Sequence, residues 1–298
     1  VRALVTGATG FVGRHLVSHL LESGDEVIAA YLGSKPVNPT CEHVRLDVEN
    51  SQAVSETLRV FRPEVVFHLA GMAFVPDAEA NFERALLVNV NGTANVCRAA
   101  HLLGTGVCVV VVSSAEVYGK IQPADLPLTE ESPVQPATNY GLSKRMAELV
   151  AERYGRLGQV RSIVVRPFNH IGAGQDTRFV IANFAQQLQS LKTLPAPRVL
   201  EVGNLDSKRD FSDVRDIVRG YRLAALKGSG TYNLGSGTSV SIRKMVERMI
   251  ELSGIEVEIR IDPSRQRPSE VPEVFGSLRR AERDLGWRPE ISLDDTLR

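Results

Sequence analysis

The sequence predicts an α/β chain: a doubly wound parallel sheet followed by a smaller mixed α/β lobe. Three observations predict it. Short β-branched runs alternate with longer stretches of helical spacing, as repeated βαβ units do. A glycine-rich turn joins the first run to the first helix. The run Val107–Val112 is apolar without alternation, as a central strand covered on both faces should be.

Taken in order, strands are expected at Ala3–Thr6, Glu26–Ala30, His43–Leu46, Val65–Leu69, Val107–Ser113 and Arg161–Arg166. Helices are expected at Val12–Ser23, Ala78–Leu103 and Ser143–Arg156. After Pro167 the pattern loosens into a helix at Phe179–Leu191, a Pro-rich turn at Leu194–Pro197, a helix at Ser241–Ser253 and a strand at Glu256–Ile261. This places one unit at 1–166 and a second at 167–298, with part of 209–238 returning to the first.

Composition removes several function classes. Of 298 residues, 43% are hydrophobic and 23% charged, ordinary for a globular protein. Lys plus Arg number 35 and Asp plus Glu 35, a balance that argues against nucleic acid or a membrane surface as partner. The most apolar stretch, Val107–Val112, falls far short of the roughly 20 residues of a membrane helix. Val1-Arg2 leads straight into a strand, so no signal peptide is expected. Cys41, Cys97 and Cys108 are odd in number and widely spaced, which fits reduced thiols and a cytoplasmic location.

The first turn reads Gly7-Ala-Thr-Gly10-Phe-Val-Gly13, between a strand and a helix. Glycines there allow a tight turn, close approach to a pyrophosphate and close helix–strand packing. The helix N-terminus adds N–H donors and partial positive charge for phosphate. This is the arrangement of a Rossmann-type dinucleotide site. The second strand ends Ala29-Ala30-Tyr31-Leu32-Gly33-Ser34-Lys35, without the acid that binds an NAD ribose. Ser34 and Lys35 suit a 2′-phosphate instead, favouring NADP(H), with NAD(H) the alternative.

Tyr140 and Lys144 stand at i, i+4, on one helix face. A free phenol has a pKa near ~10, and a neighbouring ammonium is expected to bring it towards neutrality for acid–base work. Ser114 follows the apolar strand, at the carboxyl end where open parallel sheets bind ligands. Its hydroxyl can bond a substrate oxygen.

Together Gly7-x-x-Gly10-x-x-Gly13, Asp47-Val48, His68-Leu-Ala-Gly71, Asn89, Ser114 and Tyr140-x-x-x-Lys144 resemble the extended short-chain dehydrogenase/reductase family, over essentially the whole chain. The resemblance implies a nicotinamide cofactor on the first unit and a nucleotide-diphosphate sugar on the second. It implies Asp47 at the adenine, Tyr140 as acid/base and Lys144 as its activator. Further cofactor contacts are implied at Phe11, Val12, Val48, Leu69, Ala70, Gly71 and Pro167, and substrate contacts at Val180 and Asn204. A homodimer through Ala78–Leu103 and Ser143–Arg156 is implied as well.

Three stretches resemble the GDP-sugar branch of that family: Arg166–Gln175, Val202–Asp213 and Arg267–Pro272. Arg209 and Arg267 suit a diphosphate, because guanidinium donates two parallel bonds. Glu270 suits ribose hydroxyls, and Asn169 a pyrophosphate or sugar hydroxyl. Alternatively, Arg209 and Asp210 form a surface ion pair. The 4,6-dehydratases of this branch carry a Gln-Asp pair where this chain has Phe11-Val12, and Ala115 in Ser114-Ala115-Glu116 cannot protonate a leaving hydroxyl. The resemblance therefore implies NADP(H)-dependent reduction of the 4-keto group of GDP-4-dehydro-6-deoxy-D-mannose to GDP-D-rhamnose. Because Glu116 could still act as a base, a dehydratase or a nucleotide-sugar epimerase is the alternative, and a non-catalytic dinucleotide sensor the one in another class. His15 and His19 share a helix face, but no third ligand is near in sequence, so no metal site is expected.

Overall fold

The computed structural model describes residues 1–33, 40–265 and 271–298. Seven parallel strands form the central sheet: β1 (Arg2–Thr6), β2 (Glu26–Tyr31), β3 (Glu42–Arg45), β4 (Val65–His68), β5 (Cys108–Val112), β6 (Arg161–Pro167) and β7 (Gly230–Leu234). Their spatial order is β7-β6-β5-β4-β1-β2-β3. The order reverses direction between β1 and β4, which opens a crevice at the carboxyl ends of those strands.

The helices that matter here are α1 (Phe11–Glu22), α2 (Ser51–Phe61), α3 (Gly92–Leu103), α4 (Asn139–Arg156), α5 (Val180–Leu191), α6 (Val214–Lys227) and α7 (Ile242–Ser253). On one face of the sheet, Leu16, Val17 and Leu20 of α1 pack with Ile217, Tyr221 and Ala224 of α6. On the other, Leu58 of α2, Val96 and Ala100 of α3, and Ala151 of α4 cover Leu4, Ile28 and Val109. β5 is thus buried on both sides, which explains its unbroken apolar run. A third core joins Phe184 and Leu188 of α5, Met245 and Val246 of α7, and the short paired strands Val199–Val202 and Glu258–Ile261.

One expected helix differs. Ala78–Leu103 is not continuous: a short helix ends at Ala80, and Asn81 then caps a new start by accepting from Arg84 N at 2.9 Å. The new helix widens into a π turn at Leu86–Asn91 before α3. Such turns insert one residue into the hydrogen-bond ladder and are frequent at functional sites. Here the turn carries the buried Asn89, whose amide accepts from Met72 N at 2.8 Å and donates to Ser143 Oγ at 2.9 Å. Asn89 thereby ties the loop after β4 to α4. Apolar spacing does not encode this break. No helix among the described residues is long and apolar enough to cross a membrane.

Candidate active site

A cavity of about 360 Å³ lies over the carboxyl ends of β1, β4, β5 and β6. Its first wall is the glycine turn. Gly7 has φ +70°, and a Cβ there would stand 2.8 Å from Ala70 N. A Cβ on Gly13 would meet the Gly7 carbonyl at 2.1 Å, so the turn can lie flat on the sheet only with glycine. Gly10, Phe11 and Val12 complete this wall, and Leu69 and Gly71 lie beside it.

The second wall is built by β5 and α4. Thr138 caps α4 by accepting from Gly141 N at 2.9 Å, so Tyr140 sits in the first turn and Lys144 one turn on. Helix α4 starts at Asn139, four residues before the expected Ser143, and the phenol and ammonium share its inner face. Ser114, which follows β5, lines the cavity with the Tyr140 phenol and favours its ionised form. The Lys144 ammonium donates to Val112 O at 2.9 Å and lies 5.9 Å from the Tyr140 ring centre. Both residues are buried yet line the cavity.

Electrostatics correct one expectation. Lys144 does not dominate Tyr140: burial pushes the phenol up to about 12, Ser114 opposes this, and Glu116 adds to it. Burial pulls Lys144 down to about 8, against the Glu148 carboxylate. Tyr140 is therefore a protonated donor at neutral pH rather than a phenolate. Burial raises Glu116 and lowers Arg209, and each charge opposes the shift of the other.

Among the other expected residues, Glu116, Pro167, Asn169 and Val180 line the cavity. Asp47, Val48, Ala70, Asn204 and Arg209 lie outside that lining. Asp47 accepts from Glu49 N at 3.0 Å and the exposed Asn204 accepts from Asp206 N at 2.9 Å, each shaping its own turn. Asp210 is buried and spends its carboxylate on Ser236 Oγ (2.7 Å) and on the N–H groups of Ser236 and Gly237. This explains the Gly235-Ser-Gly237 turn and displaces the surface ion-pair alternative. Ser34, Lys35, Arg267 and Glu270 lie outside the described residues. His15 spends its Nε2 on Ala173 O at 2.9 Å.

Sequence reasoning missed several lining residues. Ser113 adjoins Ser114, and its hydroxyl donates to the buried Glu148 at 2.6 Å. His170 is stacked on Phe11, with ring centres 6.2 Å apart, and its Nδ1 bonds Phe168 O at 2.9 Å. Phe179 stands edge-on to Phe74 at 5.3 Å, joining the segment before α5 to the loop after β4. Only the doublets Ser113-Ser114 and Asn169-His170 hinted at these positions.

His68 ends β4 beneath this wall, fully buried, with Nδ1 2.9 Å from Thr6 Oγ1. Burial, aided by the Lys144 charge, lowers its pKa from 6.5 to about 3. Unfolded chains take up this proton below about pH 6.5 while the folded chain does not, so stability falls as pH drops through the window from 6.5 to about 3. At pH 5, about 1.5 units into that window, the loss is about 2 kcal/mol at about 1.4 kcal/mol per unit. Urea midpoints for wild type and His68→Gln at about pH 7 and pH 5 check it: the variant should lose less stability. Equal losses would contradict the burial argument.

A family model described as GDP-mannose 4,6 dehydratase matches residues 4–298. The chain belongs to that family. It is 37% identical to the GDP-6-deoxy-D-mannose reductase of Pseudomonas aeruginosa, over 100% of this chain and 95% of that protein. Among solved structures, RMD from Pseudomonas aeruginosa complexed with NADPH superimposes with a TM-score of 0.89 at 34% identity, covering 100% of this chain and 97% of that one. The UDP-glucose 4-epimerase of Thermus thermophilus, in complex with NAD, gives 0.88 at 28% identity, covering 100% and 97%. The GDP-mannose 4,6-dehydratase family therefore reaches this chain along its whole length, and its neighbours are Rossmann-type extended short-chain dehydrogenases/reductases. The chain is an oxidoreductase of this class. A family member can carry a reductase's name, so the family name alone does not choose the reaction.

Proposed function

We propose that the protein reduces the 4-keto group of GDP-4-dehydro-6-deoxy-D-mannose to give GDP-D-rhamnose, with NADP(H) as cofactor. The observation that carries this reading is a protonated Tyr140 that lines the cavity together with Ser114 and Lys144, within a chain 37% identical to a reductase of that sugar class. The glycine turn fits a dinucleotide: Gly7 and Gly13 let it lie close against the loop after β4 and against itself, and the N-terminus of α1 that it leads into has no side-chain cap, so its N–H groups suit a phosphate. A bound reduced nicotinamide supplies a hydride. Tyr140 gives its proton to the developing alkoxide at sugar C4, Ser114 bonds that same oxygen, and Lys144 holds the cofactor ribose and the charge balance around the phenol.

Residues 167–298 would hold the sugar nucleotide, with Asn169, Val180 and Glu116 at the sugar and Arg209, Arg267 and Glu270 at the nucleotide. Arg267→Ala is expected to raise the Kd for GDP-sugar roughly 10- to 150-fold, the worth of a charge-assisted bond of about 1.5–3 kcal/mol. Calorimetry showing unchanged GDP-sugar affinity would remove Arg267 from the site. The missing acid after Ala30, with Ser34 and Lys35 nearby, supports NADP(H), as does a neighbour complexed with NADPH. Tighter binding of NADPH than NADH, with the gap narrowed in Lys35→Ala, is the expected titration; an NADH preference would overturn it.

We also propose a homodimer through α3 and α4. Leu102, Leu142 and Leu149 are 71%, 39% and 46% exposed there, a density of bare apolar side chains that a second copy would cover. Monomer mass by light scattering at micromolar concentration would count against it. The reaction itself is tested by mixing protein, 4-keto sugar nucleotide and reduced cofactor. A reductase consumes one cofactor per sugar, whereas an epimerase, a dehydratase or a dinucleotide sensor consumes none.

A further inference from the structure

Beneath Tyr140 and Lys144 lies a buried charge cluster that the mechanism above does not use. Glu148 is fully buried on α4, one turn below Lys144. Its Oε1 accepts from Ser113 Oγ at 2.6 Å and from Arg166 Nε at 2.8 Å. Its Oε2 accepts from Arg166 Nη2 and Arg145 Nη1, both at 2.8 Å. Ser113 directly follows Val112, whose carbonyl receives the Lys144 ammonium. One carboxylate thus fastens both the strand end and the helix turn that hold Lys144 in place.

We propose that Glu148 is a positioning residue for the reaction: it fixes the Val112–Ser113 strand end to which Lys144 is tied and supplies the counter-charge for that ammonium. The inference rests on the reading of Lys144 as partner to Tyr140. Three cations crowd the cluster: Lys144 and Arg145 on α4 and Arg166 on β6. Glu152, farther along α4, is partly exposed and shares Arg145 at 2.9 Å. Tyr118 accepts from Arg166 Nη1 at 3.2 Å and stays neutral, pushed up to about 12 by burial. The Glu130 carbonyl also receives Arg166, while its carboxylate accepts from Asn233 N at 2.8 Å. From β4, His68 faces Lys144 as a neutral ring. Glu116 faces Tyr140 from beyond β5. An arginine cannot release its proton in this setting. Removing the Glu148 charge therefore falls on Lys144, which burial already disposes to deprotonate.

The test follows the Lys144 ammonium by NMR of protein labelled at lysine, assigned by its loss in Lys144→Arg, together with the pH profile of kcat/KM. Glu148→Gln should lower the pH at which Lys144 titrates by at least roughly one unit and move the alkaline limb of the profile equally. Glu148→Asp keeps the charge and should leave both within a few tenths of a unit. Ser113→Ala keeps the charge but cuts the tie to the strand end. It should lower kcat about tenfold, the worth of a hydrogen bond to a charged group, with the titration unmoved. If Glu148→Gln does not fold, Ser113→Ala carries the test. A pH-independent fall in Glu148→Gln, or an unchanged kcat in Ser113→Ala, would overturn the proposal. A wild type without turnover would instead overturn the proposed reaction, while the lysine titration would still read the effect of Glu148.

Discussion

Tyr140→Phe is expected to lower kcat by at least about 100-fold while leaving cofactor affinity within a few fold of wild type. The substitution removes one oxygen and keeps the ring, which packs with Ala78 and Ala85 in a small buried cluster. Tyr140 reaches the cavity, which Ser114 also lines. Its phenol is the protonated group the alkoxide requires, since burial holds it at about 12. With Phe in place Ser114 can still hydrogen-bond the ketone, so a residual rate should survive. Glu116 is raised by burial and also lines the cavity, which makes it the rival donor nearby. A variant within a few fold of wild type would mean that Glu116 or water supplies the proton; the double change with Glu116→Gln separates those two.

The second large effect is on folding. Arg166→Met should cost about 3–5 kcal/mol of stability, read as a lowered urea midpoint with an unchanged slope. Arg166 is 4% exposed and forms a two-pronged pair with Glu148, itself 0% exposed. Taking away one partner strands the other in a low-dielectric interior, and that desolvated charge is the source of the loss. Arg166 also donates to Tyr118, whose hydroxyl donates on to Asn233 at 2.7 Å, so β6, β7 and the turn after β5 loosen together. The double variant Arg166→Met/Glu148→Leu removes both charges and should recover much of the loss. If the single variant is as stable as wild type, water must reach the pair, and the two charges are not buried in solution.

Much of the site was legible in the sequence because its chemistry is local. Gly7, Gly10 and Gly13 are separated by single turns, and Tyr140 and Lys144 by one helical turn, so spacing alone places each group. Ser114 could be placed because an apolar run ends just before it. What spacing could not show is how elements meet. The π turn at Leu86–Asn91 breaks an otherwise regular helical pattern so that Asn89 can reach Met72 and Ser143. Glu148 sits at a position where a helix usually carries a solvated charge. Only the packing of α4 on β5 and β6 buries it against Arg166 and Ser113. The direction of the Tyr140 shift differs from the expectation for the same reason: a neighbouring ammonium is visible in sequence, but the depth of burial that pushes the phenol up is not.

The central claim is that hydride reaches sugar C4 while Tyr140 protonates the oxygen. The most direct measurement uses reduced cofactor carrying deuterium at the transferable position of the nicotinamide. It is incubated with the GDP-linked 4-keto-6-deoxyhexose, and the product is read by NMR and mass spectrometry. One deuterium per product is expected, located at C4 of a GDP-6-deoxyhexose, with no such product from Tyr140→Phe on the same time scale. A product without label, or with label at another carbon, would contradict it.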